Sequence, residues 1–414
     1  MIRNAASAAE DAARGNGPRL SGPREFDFLG ALAVADLSGE RRQFVASWNF
    51  ASLDWENFLG LAEQHGVLAL AARNLIEINR SQTTALPSEI DQSLGLAYEA
   101  SLRRGLWFAS ELTRIVAHFE RNGVRAIPYK GPLLAQSLYG DLALRSFSDL
   151  DFLISPTDFE RAKQALAEIG YQPTAELALA VERFWLRRGY ERSFDGAAGK
   201  NLVELQWALL PYFYAVDLRV EDLLARAGRA VVGEGEVPCL SAEDSLLVLC
   251  LHAAKHLWTR LIWLADIAES LRSQDIDYSL VSERARALGV VRILGVSFWL
   301  AKHVLWAELP KPAEEIVAAD PETPAIGREF AERLARGAAY DFESTEYFRL
   351  ILKLRERRAD RWEYLWRLFF TPGAGDIAAV QMPEAFFPLY RVVRMARLAR
   401  RFCRTLTTEH RPLD

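Results

Sequence analysis

Pro128-Tyr129-Lys130-Gly131-Pro132, continued by Arg145-Ser146-Phe147-Ser148-Asp149-Leu150-Asp151-Phe152-Leu153-Ile154, decides the reading of this chain. A short apolar strand runs into a Lys-Gly turn and a helix, and a second strand then carries two aspartates two residues apart. Alternate strand residues point to opposite faces, so Asp149 and Asp151 share a face with Leu153, while Leu150, Phe152 and Ile154 enter a core. Neighbouring carboxylates repel each other, and a hard divalent cation, Mg2+ or Mn2+, relieves that repulsion through oxygen ligation. The pattern points to a phosphoryl- or nucleotidyl-transfer site. The competing reading is a solvated strand end, since Ser155-Pro156-Thr157-Asp158 starts a helix just downstream.

A third carboxylate, Glu204, sits in Asn201-Leu202-Val203-Glu204-Leu205-Gln206-Trp207. Leu202, Glu204 and Gln206 fall on one face of this strand, and Val203, Leu205 and Trp207 on the other. Pairing beside the aspartate strand would gather three carboxylates, the donor set of two-metal catalysis. The alternative is a cross-strand pair between Glu204 and Arg192. At the turn, Pro132 suits the first turn of a helix, and Gly131 admits close backbone approach. The helix from Leu133 to Tyr139 would aim its positive end at a triphosphate. Lys130 would add a point charge to a phosphate. Arg145 would hold a phosphate or orient the aspartates, with an ordinary salt bridge as the alternative.

Lys130-Gly131, Tyr139-Gly140-Asp141, Arg145 and Ser148-Asp149-Leu150-Asp151 resemble the uncharacterised bacterial nucleotidyltransferase family of the polymerase-beta-type superfold. Glu204-Leu205-Gln206-Trp207 is similar to its later carboxylate motif, with Gln206 where His is expected. His252-Ala253-Ala254-Lys255-His256-Leu257-Trp258, Arg260, Trp263 and Asp266 are similar to its helical signature. The resemblance covers roughly Asp54 to the last helices. It implies an α+β fold, a nucleoside triphosphate donor, Mg2+ or Mn2+ on Asp149, Asp151 and Glu204, and an unidentified acceptor (a small molecule, glycan precursor or protein). Pro132 follows the turn glycine where the superfold usually has Ser or Gly. Together with Gln206, it motivates the alternative of an inactive protein that binds a nucleotide or a partner.

His252, His256, Arg260 and Trp263 recur at spacings of four, four and three, so a continuous helix would put them on one face with Lys255 and Asp266 near. They would hold the base or the acceptor. A buried hydrogen-bond network among the histidines, Arg260 and Asp266 serves the pattern equally. The histidines also have helical zinc spacing, but the Glu of the H-E-x-x-H pattern is missing.

A chain of 414 residues, half of them hydrophobic and a quarter charged, suits a soluble protein with a large core. The net charge of -5 argues against broad nucleic-acid binding. Cys239, Cys250 and Cys403 have no paired spacing, which fits a reducing cytoplasm. Residues 1–25 lack the apolar core of a signal peptide and read as a disordered tail. Val290 to Leu309, interrupted by Arg292, Lys302 and His303, reads as a buried helix and not a membrane span. The expected architecture is a small mixed sheet in residues 123–215, embedded between helical regions at 26–122 and 216–414. Near the end, Arg391, Arg394, Arg397, Arg400, Arg401 and Arg404 alternate with Leu389, Val392, Val393, Met395 and Leu398. This is read as the solvated face of a terminal helix, although such helices also lie on anionic membranes.

Overall fold

The computed structural model describes residues 23–81, 86–342 and 344–408. Its α+β architecture is the expected one: a five-stranded mixed sheet set among helices. The strands are β1 (Ala126–Pro128), β2 (Leu150–Ile154), β3 (Gln172–Pro173), β4 (Glu191–Gly196) and β5 (Gly199–Gln206), in spatial order β1-β2-β5-β4-β3. The β2–β5 pair is parallel and the other pairs are antiparallel. β4 and β5 form a hairpin, with a bulge between Phe194 and Gly196. Ser155 caps the turn into the helix Phe159–Glu168, where its hydroxyl accepts from the Thr157 N–H.

Both faces of the sheet are covered, so β2 is buried along its whole length. Leu150, Phe152, Ile154, Phe194 and Leu205 pack with Phe119 and Phe159 in one core. Ile127, Tyr129 and Leu153 belong to a larger core built from the N-terminal and later helices together. The helix Ser88–Arg121, 34 residues long, joins the two: Leu94 enters the larger core, and Phe108, Leu112, Ile115 and Phe119 the sheet-side core. Gly105 lies where this helix meets the loop before β2. A Cβ there would come 2.5 Å from the Leu142 carbonyl oxygen, so only glycine fits the approach.

Three expectations about organisation are corrected. Residues 1–22 of the expected tail lie outside the described residues, but Arg24 and Glu25 begin a helix, Arg24–Leu32, whose Phe26, Phe28 and Leu29 are buried. The region 216–414 is not wholly helical, because β6 (Gly228–Val232) and β7 (Gly235–Cys239) form a hairpin that packs beside β1. The stripe from His252 to Trp263 is not one helix face either. The helix Ala242–Lys255 stops, Leu257 and Trp258 take φ of 52° and 51°, and a new helix runs Leu261–Ser273. Burial of Trp258, whose indole N–H donates to Ser297 Oγ at 3.1 Å, holds this break.

His65 closes the helix Trp55–Gln64 and is buried edge-on against Phe26, with neither ring nitrogen hydrogen-bonded. Burial first, then the Arg260 charge, pushes its imidazole down from 6.5 to about 4. The folded state therefore resists protonation that the unfolded chain accepts. Stability is fully present above pH 6.5 and is lost as pH falls towards 4, by about 3 kcal/mol. Urea unfolding across this range checks it, since His65→Phe is expected to flatten that part of the profile.

Candidate active site

The Lys-Gly turn follows directly from β1. Gly131 has φ of 64°, which glycine adopts without strain, and Pro132 opens the helix Pro132–Tyr139. A Cβ at residue 131 would lie 3.6 Å from the Asp149 carbonyl oxygen, so the turn rests against the aspartate loop. Lys130 reaches across with Nζ 3.0 Å from Asp151 Oδ2.

The parallel register sets Asp151 beside Glu204. Adjacent partners in register project to one face, so the carboxylates are neighbours, with Asp149 one step beyond the start of β2. Gln206 holds them. Its Nε2 donates at 3.0 Å to Asp151 Oδ1 and at 3.0 Å to Glu204 Oε2. Tyr129, buried beside the turn, donates its hydroxyl to Gln206 Oε1 at 2.7 Å and so turns the amide nitrogen towards the carboxylates. Arg192 does not pair with Glu204, because Ser193 stands opposite Glu204 and the Arg192 guanidinium donates to the Ala175 carbonyl.

Crowding shows in the electrostatics. Burial, then Asp151, pushes the Asp149 carboxyl up to about 6, against the pull of Lys130 and Arg145. Burial pushes Glu204 up to about 8, with Asp151, Glu191 and Asp149 adding to it. Glu204 thus favours folding in its protonated form, and that contribution, full below pH 4.5, is lost as pH rises to 8. Glu204→Gln is expected to gain about 2–4 kcal/mol over the native chain at pH 8 and almost nothing at pH 4. Denaturant melts at the two pH values measure the difference.

The residues after β5 complete the surroundings. Lys255 Nζ lies 4.3 Å from the Tyr190 ring centre and 3.9 Å from Glu191 Oε2, and Glu191 stands opposite Gln206 in β4. Burial lowers the Lys255 ammonium, although Glu191 opposes the shift. The His252 and His256 rings lie 4.8 Å apart, with the Trp263 ring 5.5 Å from the first and 4.9 Å from the second. Burial and then Lys130 hold His252 well below the usual imidazole range; burial and then Lys255 do the same for His256. The two histidines stay together although the helix is broken, and Trp263 on the second helix packs against both rings.

Arg145 is placed on Asp266 and not towards the carboxylates. Its Nε lies 3.0 Å and 3.1 Å from the two carboxylate oxygens, and its Nη2 2.9 Å from Oδ2. Tyr139 donates to the same carboxylate at 2.8 Å. This buried cluster ties the aspartate loop and the helix Pro132–Tyr139 to the helix Leu261–Ser273. Arg260 is exposed at the turn before that helix.

Asp149, Asp151, Glu191 and Glu204 face Lys130 and Lys255, an excess of two negative charges when all are ionised. That excess, and the raised pKa values of Asp149 and Glu204, fit a hard divalent cation. No three His, Cys, Asp or Glu side chains among the described residues close round one point. An ion here would therefore take few protein oxygens and complete its shell with water and phosphate, as Mg2+ commonly does.

Sequence reasoning missed Tyr129 and Glu191. Tyr129 is adjacent to Lys130 in the decisive stretch, but its reach to Gln206 depends on the β1–β2–β5 order. Glu191 starts β4, and only the register with Gln206 brings it in.

An α+β fold with carboxylates on adjacent strands beside a Lys-Gly turn is consistent with a nucleotidyltransferase domain. Residues 51–305 match the family described as uncharacterised nucleotidyltransferase, and the chain belongs to that family. Membership supports a nucleotidyltransfer role and the transferase class. No curated protein matches the chain.

Proposed function

We propose that the protein transfers a nucleoside monophosphate from a nucleoside triphosphate to an acceptor, with Mg2+ or Mn2+, and releases pyrophosphate. The observation that carries this reading is the Asp151–Glu204 register beside Asp149, with Lys130 and the start of the helix Pro132–Tyr139 next to it. That helix presents free N–H groups and positive charge to the triphosphate. Lys130 leaves Asp151 for a phosphate oxygen and frees one carboxylate oxygen. When bound, the divalent ion neutralises the phosphates and aligns the attacking and leaving oxygens. Asp149 and Asp151 would hold it, and Glu204 would be the further carboxylate nearest to it. An acceptor oxygen forms a bond to the α-phosphorus as the α–β bridging P–O bond breaks. For a hydroxyl acceptor, Glu204 in its ionised form takes the proton. Lys255, His252, His256 and Arg260 bind the base or the acceptor, which is a small molecule, a glycan precursor or a protein.

A second reading is a nucleotide-binding protein without transfer. It is favoured by Asp151, whose two oxygens are already held by Lys130 and Gln206. Incubation of α-labelled triphosphates with cell-extract fractions separates the two. Transfer predicts label on an acceptor with stoichiometric pyrophosphate, abolished by EDTA and restored by Mg2+. Binding without label or pyrophosphate would establish the second reading.

A further inference from the structure

The basic stripe of the last helix, Tyr390–Thr408, is solvated only in part: Arg391 and Arg400 are exposed. Arg394 and Arg397 turn inward onto the fully buried carboxylate of Asp376. Leu389, Val392 and Met395 point outward instead, at 48%, 58% and 42% exposure. Trp362 and Trp366, one turn apart on the helix Arg358–Phe370, are 74% and 66% exposed, and Phe386 is also exposed. Trp366, Val392 and Met395 line one cleft of about 1110 Å3.

Guanidinium groups surround the same cleft. Arg187, Arg188, Arg367 and Arg391 line it, and the Tyr212 ring lies 5.3 Å from the Arg188 guanidinium and 4.2 Å from that of Arg367. Arg367 is paired with both Asp217 and Glu363, a trio with one excess negative charge. Arg187, Arg188 and Arg391 make no ion pair among the described residues, and the remaining acid in the lining is Glu384. A basic rim round exposed tryptophan and aliphatic side chains, on a chain of net charge -5, is local and directional.

We propose that this face docks on an anionic lipid bilayer. Trp362, Trp366, Leu389, Val392 and Met395 enter the headgroup boundary, where tryptophan keeps its apolar body buried and its N–H wet. Arg187, Arg188 and Arg391 meet the lipid phosphates. Charge complementarity selects an anionic surface, and the outward aliphatic residues favour lipid over RNA, whose bases would need stacking platforms. The contact is peripheral, because no helix among the described residues is long and apolar enough to cross a membrane. Trp362 to Met395 lie outside the family match at 51–305, and the inference is independent of nucleotidyl transfer.

Vesicle flotation of the full chain tests this, with phosphatidylcholine vesicles against phosphatidylcholine–phosphatidylglycerol vesicles. Binding is expected to be at least about tenfold stronger to the anionic vesicles and to weaken with salt. Trp362→Ala/Trp366→Ala is expected to lower it about tenfold with the melting temperature unchanged. Arg187→Gln/Arg188→Gln is expected to remove only the preference for anionic lipid. No binding to anionic vesicles, or equal binding by the tryptophan variant, would overturn the proposal. So would a solution dimer that the tryptophan variant dissolves, which would assign the face to a second copy, or tighter binding to single-stranded RNA than to vesicles.

Discussion

Asp151→Asn is expected to reduce nucleotidyl transfer by roughly 10^3-fold, because Asp151 joins the turn lysine to the strand that carries Glu204. It accepts from Lys130 and Gln206, and lies beside Glu204. An amide keeps the volume and one acceptor oxygen but removes the charge that holds a cation and positions Lys130. The loss is expected in kcat, with nucleotide affinity falling less, since Lys130 and the helix start still meet the phosphates. Steady-state rates with the labelled acceptor give the split. A variant that kept native turnover would remove Asp151 from the chemistry.

Arg145→Ala is expected to destabilise the fold by about 3–5 kcal/mol, the usual consequence of leaving one partner of a buried ion pair alone. Asp266 is 1% exposed and would keep only the Tyr139 hydroxyl. The damage falls on the site as well, because the Arg145–Asp266 pair fixes the loop carrying Asp149 against the helices. Urea unfolding measures the loss. Arg145→Met/Asp266→Leu, which removes both charges, is expected to recover much of it. A single variant as stable as the native chain would show that the pair does not anchor the loop.

Much of this was legible in the sequence, for local reasons. Strand periodicity places Asp151 beside Glu204, whereas Asp149 lies in the bend before β2 where that periodicity does not reach, and Pro132 and Gly131 mark a turn whose backbone they dictate. The β4–β5 hairpin and the Ser155 cap follow from equally local signals. What escaped depends on distant partners. Arg145 has no local sign that Asp266, far along the chain, will take its guanidinium. The break after Lys255 is invisible to helical spacing, because burial of Trp258 against Ser297 drives it. The β6–β7 hairpin carries a readable signal in Val231-Val232-Gly233-Glu234-Gly235-Glu236-Val237, where two residues connect alternating strands. The arginines of the last helix gave a basic stripe, yet Asp376 draws two of them inward.

The most direct measurement is thermal stability with ATP, GTP, CTP and UTP, each with and without Mg2+ or Mn2+, beside the Asp149→Asn/Asp151→Asn variant. A ligand bound only by the folded state raises the melting temperature by mass action. A metal-dependent rise is expected for at least one nucleotide, lost in the variant. No rise with any nucleotide, or a rise the variant keeps, would contradict the assignment of these aspartates to a metal–nucleotide site.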